Sequence, residues 1–295
     1  MTPPEDLPEA APRRLESGSF SSGLTIPDFA ACLQIGLRPV GLVQGFCVMR
    51  SSYFSPAYGP SFYARPNDGS YVKTWQCPHG FVSGEHRLWG QNYEQTWVEQ
   101  TWLTGFSSAF GRLIEEARDT GAHGVIGVSD TSQQLADTGV IEFHILGTAV
   151  VVDGGPPPRD GEPWSTYLAG QRLVKLLEAG LFPVSVVAAI GSVRAWPYCM
   201  TEYLMGGSYF AWGGQTTSTQ EVEQISDARL AARAIAREQA RHQLHGDALQ
   251  GISMATFDRE LSSEHVFECV VRGTRVRTYK AFEPMATPAP KVRLS

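Results

Sequence analysis

Residues Leu33–Arg50 read LQIGLRPVGLVQGFCVMR, and the chain writes this stretch a second time as LEAGLFPVSVVAAIGSVR at Leu177–Arg194. The two align without a gap at an offset of 144 positions. Leu33/Leu177, Gly36/Gly180, Leu37/Leu181, Pro39/Pro183, Val40/Val184, Val43/Val187 and Arg50/Arg194 are identical. A duplicated architecture follows. In each copy an apolar helix runs into a glycine, a natural left-handed stop, and a proline then enters the first residues of a strand, where its missing N–H is tolerated. In copy one Thr25 is the expected helix cap, Pro27 sits in the first turn, and Phe29, Ala30 and Leu33 follow. In copy two Ser165 is the expected cap, ahead of Leu168, Leu173, Leu176 and Leu177.

Working outward, each copy next carries a longer helix. Phe106, Ala109, Phe110, Leu113, Ile114 and Ala117 recur at helical spacing and Gly121 ends the run. In copy two Ser226 is the expected cap and Leu230, Ala231, Ala234, Ile235 and Leu244 the expected buried side, within a segment whose many alanines permit close approach of another backbone. A strand pair closes each copy. GAHGVIGVSD and GVIEFHILGTAVVV are matched by HGDALQGISM and HVFECVVRGTRVRT, with Gly127 opposite Gly251 and, after two inserted residues, Val140/Val266, Glu142/Glu268, Gly147/Gly273, Thr148/Thr274 and Val150/Val276 at an offset of 126. Alternation places Ile141, Phe143, Ile145, Ala149 and Val151 on one face and Glu142, His144 and Thr148 on the other, with Phe267, Cys269 and Val271 inward in copy two.

The expected organisation is therefore α+β: a tail at 1–22, a first domain at 23–153 with an aromatic insertion at 51–92, a linker at 154–163, a second domain at 164–282 and a tail at 283–295. The first tail is rich in Pro, Glu and Ser, and GGPPPRDGEP makes a stiff, exposed connector. The insertion is crowded with Tyr, Phe, Trp, Gly, Pro and Ser, a composition for loops and hairpin. Its aromatics either cover the open face of their own sheet or form an interface, where Tyr and Trp are enriched.

Charge and composition exclude more than they specify. A net charge of −6 argues against nucleic acid or an anionic membrane as main partner. No run approaches the ~18 apolar residues of a membrane span. The acidic, Pro-rich start does not read as a secretory or twin-arginine signal. Five scattered cysteines fit reduced thiols, and a cytoplasmic location is the expectation.

The glycine-closed helix, the entry strand Gly36–Gly45, GAHGVIGV at Gly121–Val128 and GTAV at Gly147–Val150 resemble the YbjQ-like family, often labelled a heavy-metal-binding domain. The tandem arrangement is similar to its two-domain actinobacterial members, with copy one the closer match. The resemblance covers about Ile26–Val152 and Ser165–Tyr279. It implies two tandem two-layer α/β domains, each a helix on an antiparallel sheet in a dodecin-like β-α-β-β order, and self-association into a ring or other homo-oligomer. It supplies no site residues. In copy two HGDALQGIS and GTRVRT depart from the family pattern.

Candidate chemistry is sparse. Cys77, His79 and His86 could supply three ligands to a divalent transition metal such as Zn, Ni or Cu, although the spacing is not that of a zinc finger and copy two has no counterpart. The alternative is a loop with local hydrogen bonds. Glu142 and His144 share a strand face and could act as acid and base, but His144 is matched by Val270. The leading reading of the glutamates is structural: they pair with Arg272-type neighbours or with an adjacent subunit. Cys32 and Cys47 lack a basic neighbour in sequence that would activate a thiolate, and Cys269, which stands where copy one has Phe143, reads as a small core residue. No phosphate loop, nucleotide fingerprint, nucleophile elbow or HExxH occurs. The leading expectation is a non-enzymatic tandem-domain protein for assembly and for binding an unknown ligand. The alternatives are a heavy-metal-binding or metal-responsive protein and an enzyme built on Glu142 and His144.

Overall fold

The computed structural model describes residues 21–50, 75–76, 82–83, 92–135, 140–155, 158, 161–195, 223–261 and 264–279. Among these are four helices, two four-stranded sheets and a two-stranded hairpin of β2 (Trp75–Gln76) and β3 (Val82–Ser83). The α+β class read from the sequence stands.

Local chemistry sets the first elements. Helix α1 (Ile26–Gln34) starts at Thr25, whose hydroxyl accepts the Asp28 N–H, with proline in its first turn. Gly36 ends it at φ +73° and Gly180 ends the matching helix α3 (Gly170–Glu178) at φ +76°, a region closed to most side chains. The buried residues of α1 are Ala31 and Cys32, while Leu33 is exposed. Ser165 does not cap α3. It lies in strand β7 (Trp164–Ser165), and the helix starts five residues later from Ala169 without a side-chain cap.

Strand β1 (Leu37–Arg50) pairs antiparallel with β6 (Val140–Val152), and β6 with β5 (Gly124–Leu135). In the second copy β8 (Leu181–Ala195) pairs with β10 (Glu264–Thr278), and β10 with β9 (Ala248–Leu261). The two prolines act alike: register shifts between Pro39 and Gly41, and opposite Pro183 between Arg275 and Val276. Gly127 and Gly251, both at positive φ, sit at a second matched pair of register shifts. The long helices join the first strand of each copy to the remaining two: α2 (Thr96–Asp119) in copy one and α4 (Glu223–His242) in copy two.

Each long helix lies against its strand backbone to backbone. A Cβ on Gly45 would stand 1.8 Å from the Ala109 carbonyl oxygen of α2, and one on Gly191 would stand 2.1 Å from the Ala232 carbonyl oxygen of α4. These glycines are not aligned partners, since Gly45 matches Ala189 and Gly191 matches Cys47. Helix α4 therefore crosses its strand one pleat further along than α2. Close approach also decides which face of α4 is buried. Ala228, Ala232, Ala236 and Ala240 pack at four-residue spacing, while Leu230 and Ala234, expected inside, are exposed. Ser226 falls within the helix rather than at its cap.

The two copies stack unequally. Alternate residues of β8 divide between two clusters: Val187, Ala189 and Val193 join α4, while Val186, Ala188 and Ile190 join α2 and the inner face of the first sheet. Strand β10 divides likewise, with Phe267, Cys269 and Val271 on the α4 side and Val270 on the α2 side. The layer order is first sheet, α2, second sheet, α4. Among the described residues the second sheet is packed by core clusters on both faces, while the outer face of the first is buried at one end, where Ile126 and Val150 join Cys32, Leu173 and Leu176.

Gly45→Ala is expected to lower the urea midpoint by an amount worth roughly 1–3 kcal/mol, because two backbones must separate. Gly41→Ala, with nothing within 4 Å of the added carbon, serves as control and should match or slightly exceed the parent. Equal effects at the two positions would contradict the close approach.

Candidate assembly surfaces

The seam between the copies is knitted by reciprocal strand exchange. Strand β4 (Asn92–Glu94), from copy one, pairs with Val193–Ala195 of β8 in copy two. Strand β7, leading into copy two, pairs parallel with Gly124 and Val125 of β5 in copy one. Gln95 and Glu99, at the start of α2, continue the first exchange: the Gln95 N–H donates to the Ser192 carbonyl at 2.9 Å, and the Ser192 N–H donates to Glu99 Oε1 at 2.8 Å. The Val128 N–H continues the second by donating to the Thr166 carbonyl at 3.0 Å.

Two polar groups are sealed in the seam. Arg272 on β10 donates from Nε to both oxygens of Asp130 on β5 at 2.8 Å, and the Tyr167 hydroxyl donates to Asp130 Oδ1 at 3.0 Å. The Asp130 side chain is 3% exposed and that of Arg272 18%. A buried ion pair of this kind adds little beyond an apolar equivalent, but removing one partner strands the other charge. Burial and the Asp130 charge push the Tyr167 phenol well above its usual range, so it stays a donor. Glu99 is the second group. It is 3% exposed and also accepts from Gln239 of α4 at 2.7 Å. Burial first, and the Glu94 charge beside it, push its carboxyl up to about 7 against the pull of the Ser192 N–H.

The outer face of the first sheet is covered at one end only among the described residues, where Ile126 and Val150 are buried with Cys32, Leu173 and Leu176. Leu42, Phe46 and Val48 of β1 are 39%, 44% and 47% exposed. Phe46 lies opposite His144 and Val48 opposite Glu142 on β6, so the proposed acid and base stand in this exposed apolar patch. The Phe46 and His144 rings meet edge to face with centroids 6.3 Å apart. Arg272, the arginine named as the type of partner for the glutamates, pairs with Asp130.

Cys77, His79 and His86 lie outside the described residues, as do most of the aromatic insertion and the tail beyond Tyr279. Among the described residues no three metal-capable side chains come together. Cys32, Cys47 and Cys269 are buried free thiols, and burial raises Cys32 and Cys269 above the ordinary thiol value, away from activation. No described helix is long and apolar enough to cross a membrane.

No family model and no solved structure matches the chain. It is similar to an encapsulin nanocompartment protein of Mycobacterium tuberculosis, 24% identical over 266 residues that cover 88% of this chain and 86% of that one. The YbjQ-like assignment is therefore corrected: the motifs that carried it, short glycine-rich turns and valine-rich strands, are what this β-α-β-β backbone requires and do not mark one family. The heavy-metal-binding function falls with it, as does the expectation of a binding protein for an unknown ligand, since the relative's name speaks of a nanocompartment.

The residues that matter at the seam were missed in the sequence because their partners are far apart. Arg272 and Asp130 are 142 positions distant, and Glu99 and Ser192 are 93. One signal was available: the repeat aligns Asp130 with Met254 and Arg272 with Leu146, so both partners change together.

Asp130→Ala is expected to cost about 3–5 kcal/mol in chemical denaturation. The triple change Asp130→Met, Arg272→Leu, Tyr167→Phe should cost less than that single change, and a larger cost would show the network to be a net stabiliser. For Glu99 the sign follows from its raised value: between about 4.5 and 7 the folded state holds more protons than the unfolded one, so this group's contribution to stability grows as pH falls through that window. Urea midpoints measured from pH 5 to 8 should show that limb in the parent and a flatter one in Glu99→Gln. Identical profiles would remove Glu99 as its source.

Proposed function

We propose that this chain is a self-assembling component of a protein multimer, and that its work is assembly rather than catalysis. One observation carries the reading: the second sheet is covered on both faces while the matching face of the first presents Leu42, Phe46 and Val48 to solvent. Burying such a face is worth roughly 25 cal/mol for each Å² of apolar area removed from water, and a second chain is an available cover. The similarity to an encapsulin nanocompartment protein over most of both chains supports the same reading. The β1-β6-β5 and β8-β10-β9 strand orders, each with one long helix after its first strand, support a dodecin-like unit within it.

Untagged protein at micromolar concentration, examined by native mass spectrometry with light scattering, should give a discrete multiple of the 32.2 kDa chain mass. A sharp monomer contradicts the proposal.

A further inference from the structure

Because the chain is duplicated, residues of its internal seam have counterparts, and several of those among the described residues lie on the two outer surfaces of the stack. Val186 and Ile190, buried against α2, correspond to the exposed Leu42 and Phe46. On the other side Val128, 4% exposed within the seam, corresponds to Ile252 on the α4-bearing side of the second sheet, 58% exposed. We infer that these two outer surfaces join between neighbouring chains, head to tail, repeating between chains the packing that copies one and two make within each. The inference rests on the assembly reading and names its interface.

Three features of the residues fit that partner. The ion pair of the internal seam, Arg272 with Asp130, has Leu146 and Met254 as counterparts, so an apolar contact replaces a charged one with both sides changed in step. Helix α4 carries exposed Arg233 and Arg237 where α2 carries Phe110 and Ile114, and the outer face of the first sheet offers them Glu142 and the Phe46 ring. The strand exchange also has its counterpart. The Gly23 N–H donates to Thr148 Oγ1 at 3.1 Å as the Tyr167 N–H donates to Thr274 Oγ1 at 3.2 Å, so the lead-ins to the two copies are held alike. The lead-in to copy two pairs with the outer edge of β5, and β9, the counterpart of β5, is the terminal strand of its sheet among the described residues.

Such a contact uses two different surfaces, so it propagates until a ring closes or a filament grows. That geometry gives a complementation test. Phe46→Asp spoils one surface and Ile252→Asp the other, both at exposed positions. Each variant alone is expected to be monomeric in light scattering with an unchanged near-ultraviolet circular dichroism spectrum. Mixed in equal amounts they retain one intact surface each and should give dimers of about twice the chain mass and nothing larger. If Ile252→Asp assembles by itself while Phe46→Asp does not, the first-sheet faces meet each other and the inference is overturned. It is equally overturned if neither change disturbs the multimer, and in both cases assembly itself survives. A parent protein that is already monomeric defeats the assembly reading instead. Should Phe46→Asp lose its near-ultraviolet signal, Leu42→Arg on the same face replaces it in the mixture, with the same dimer expected.

Discussion

Helix α2 has to satisfy two sheets at once, and the rest of the molecule is arranged around that constraint. One of its stripes meets β1 so closely that Gly45 has no room for a side chain. The adjacent stripe begins at Glu99 against Ser192 of β8, and Leu103, Phe110 and Ile114 along it pack into the cluster that holds Val186, Ala188 and Ile190. Stacking of Trp102 on Phe106 and of Phe106 on Phe110 fills the space along the helix. An interior helix of this kind cannot carry a wholly polar back, which is why α2 is apolar on two stripes where α4 is apolar on one and arginine-rich beside it. The two copies thus have one fold and different surfaces.

Features governed by local backbone chemistry were legible in the residues. Thr25, Pro27 and Gly36 mark the ends of α1, Pro39 and Pro183 stand at matched irregularities, and the alternation of Phe267, Cys269 and Val271 turns inward as written. Features that depend on what lies across a gap were not. Ser165 and Ser226 look like caps, but the first is drawn into a strand by β5 and the second lies inside a helix that begins earlier. Leu230 looks like core by hydrophobicity, yet the short distance between α4 and β8 admits only the alanine stripe. Asp130 reads as the polar last residue of GAHGVIGVSD until Arg272 and Tyr167 arrive from the other copy.

The same distinction explains the misplaced family. Short glycine and valine patterns report the bends and pleats of a strand–helix–strand–strand unit, whichever protein uses it. Surfaces report use, and they lie in residues the repeat does not keep constant: Leu42 against Val186, His144 against Val270, Leu146 against Arg272. Read as pairs, those differences separate a face built to be closed within the chain from one built to meet something outside it. An assembling protein needs the second kind, and each copy displays one at its own end of the stack.

An electron cryomicroscopy reconstruction of the untagged multimer would test the central claim most directly. The account predicts that the outer face of the first sheet in each chain lies on the α4-bearing side of its neighbour, related by nearly the rotation and translation that carry copy one onto copy two within a chain. First-sheet faces paired about a two-fold axis, or left in solvent in a multimer held together elsewhere, would contradict it.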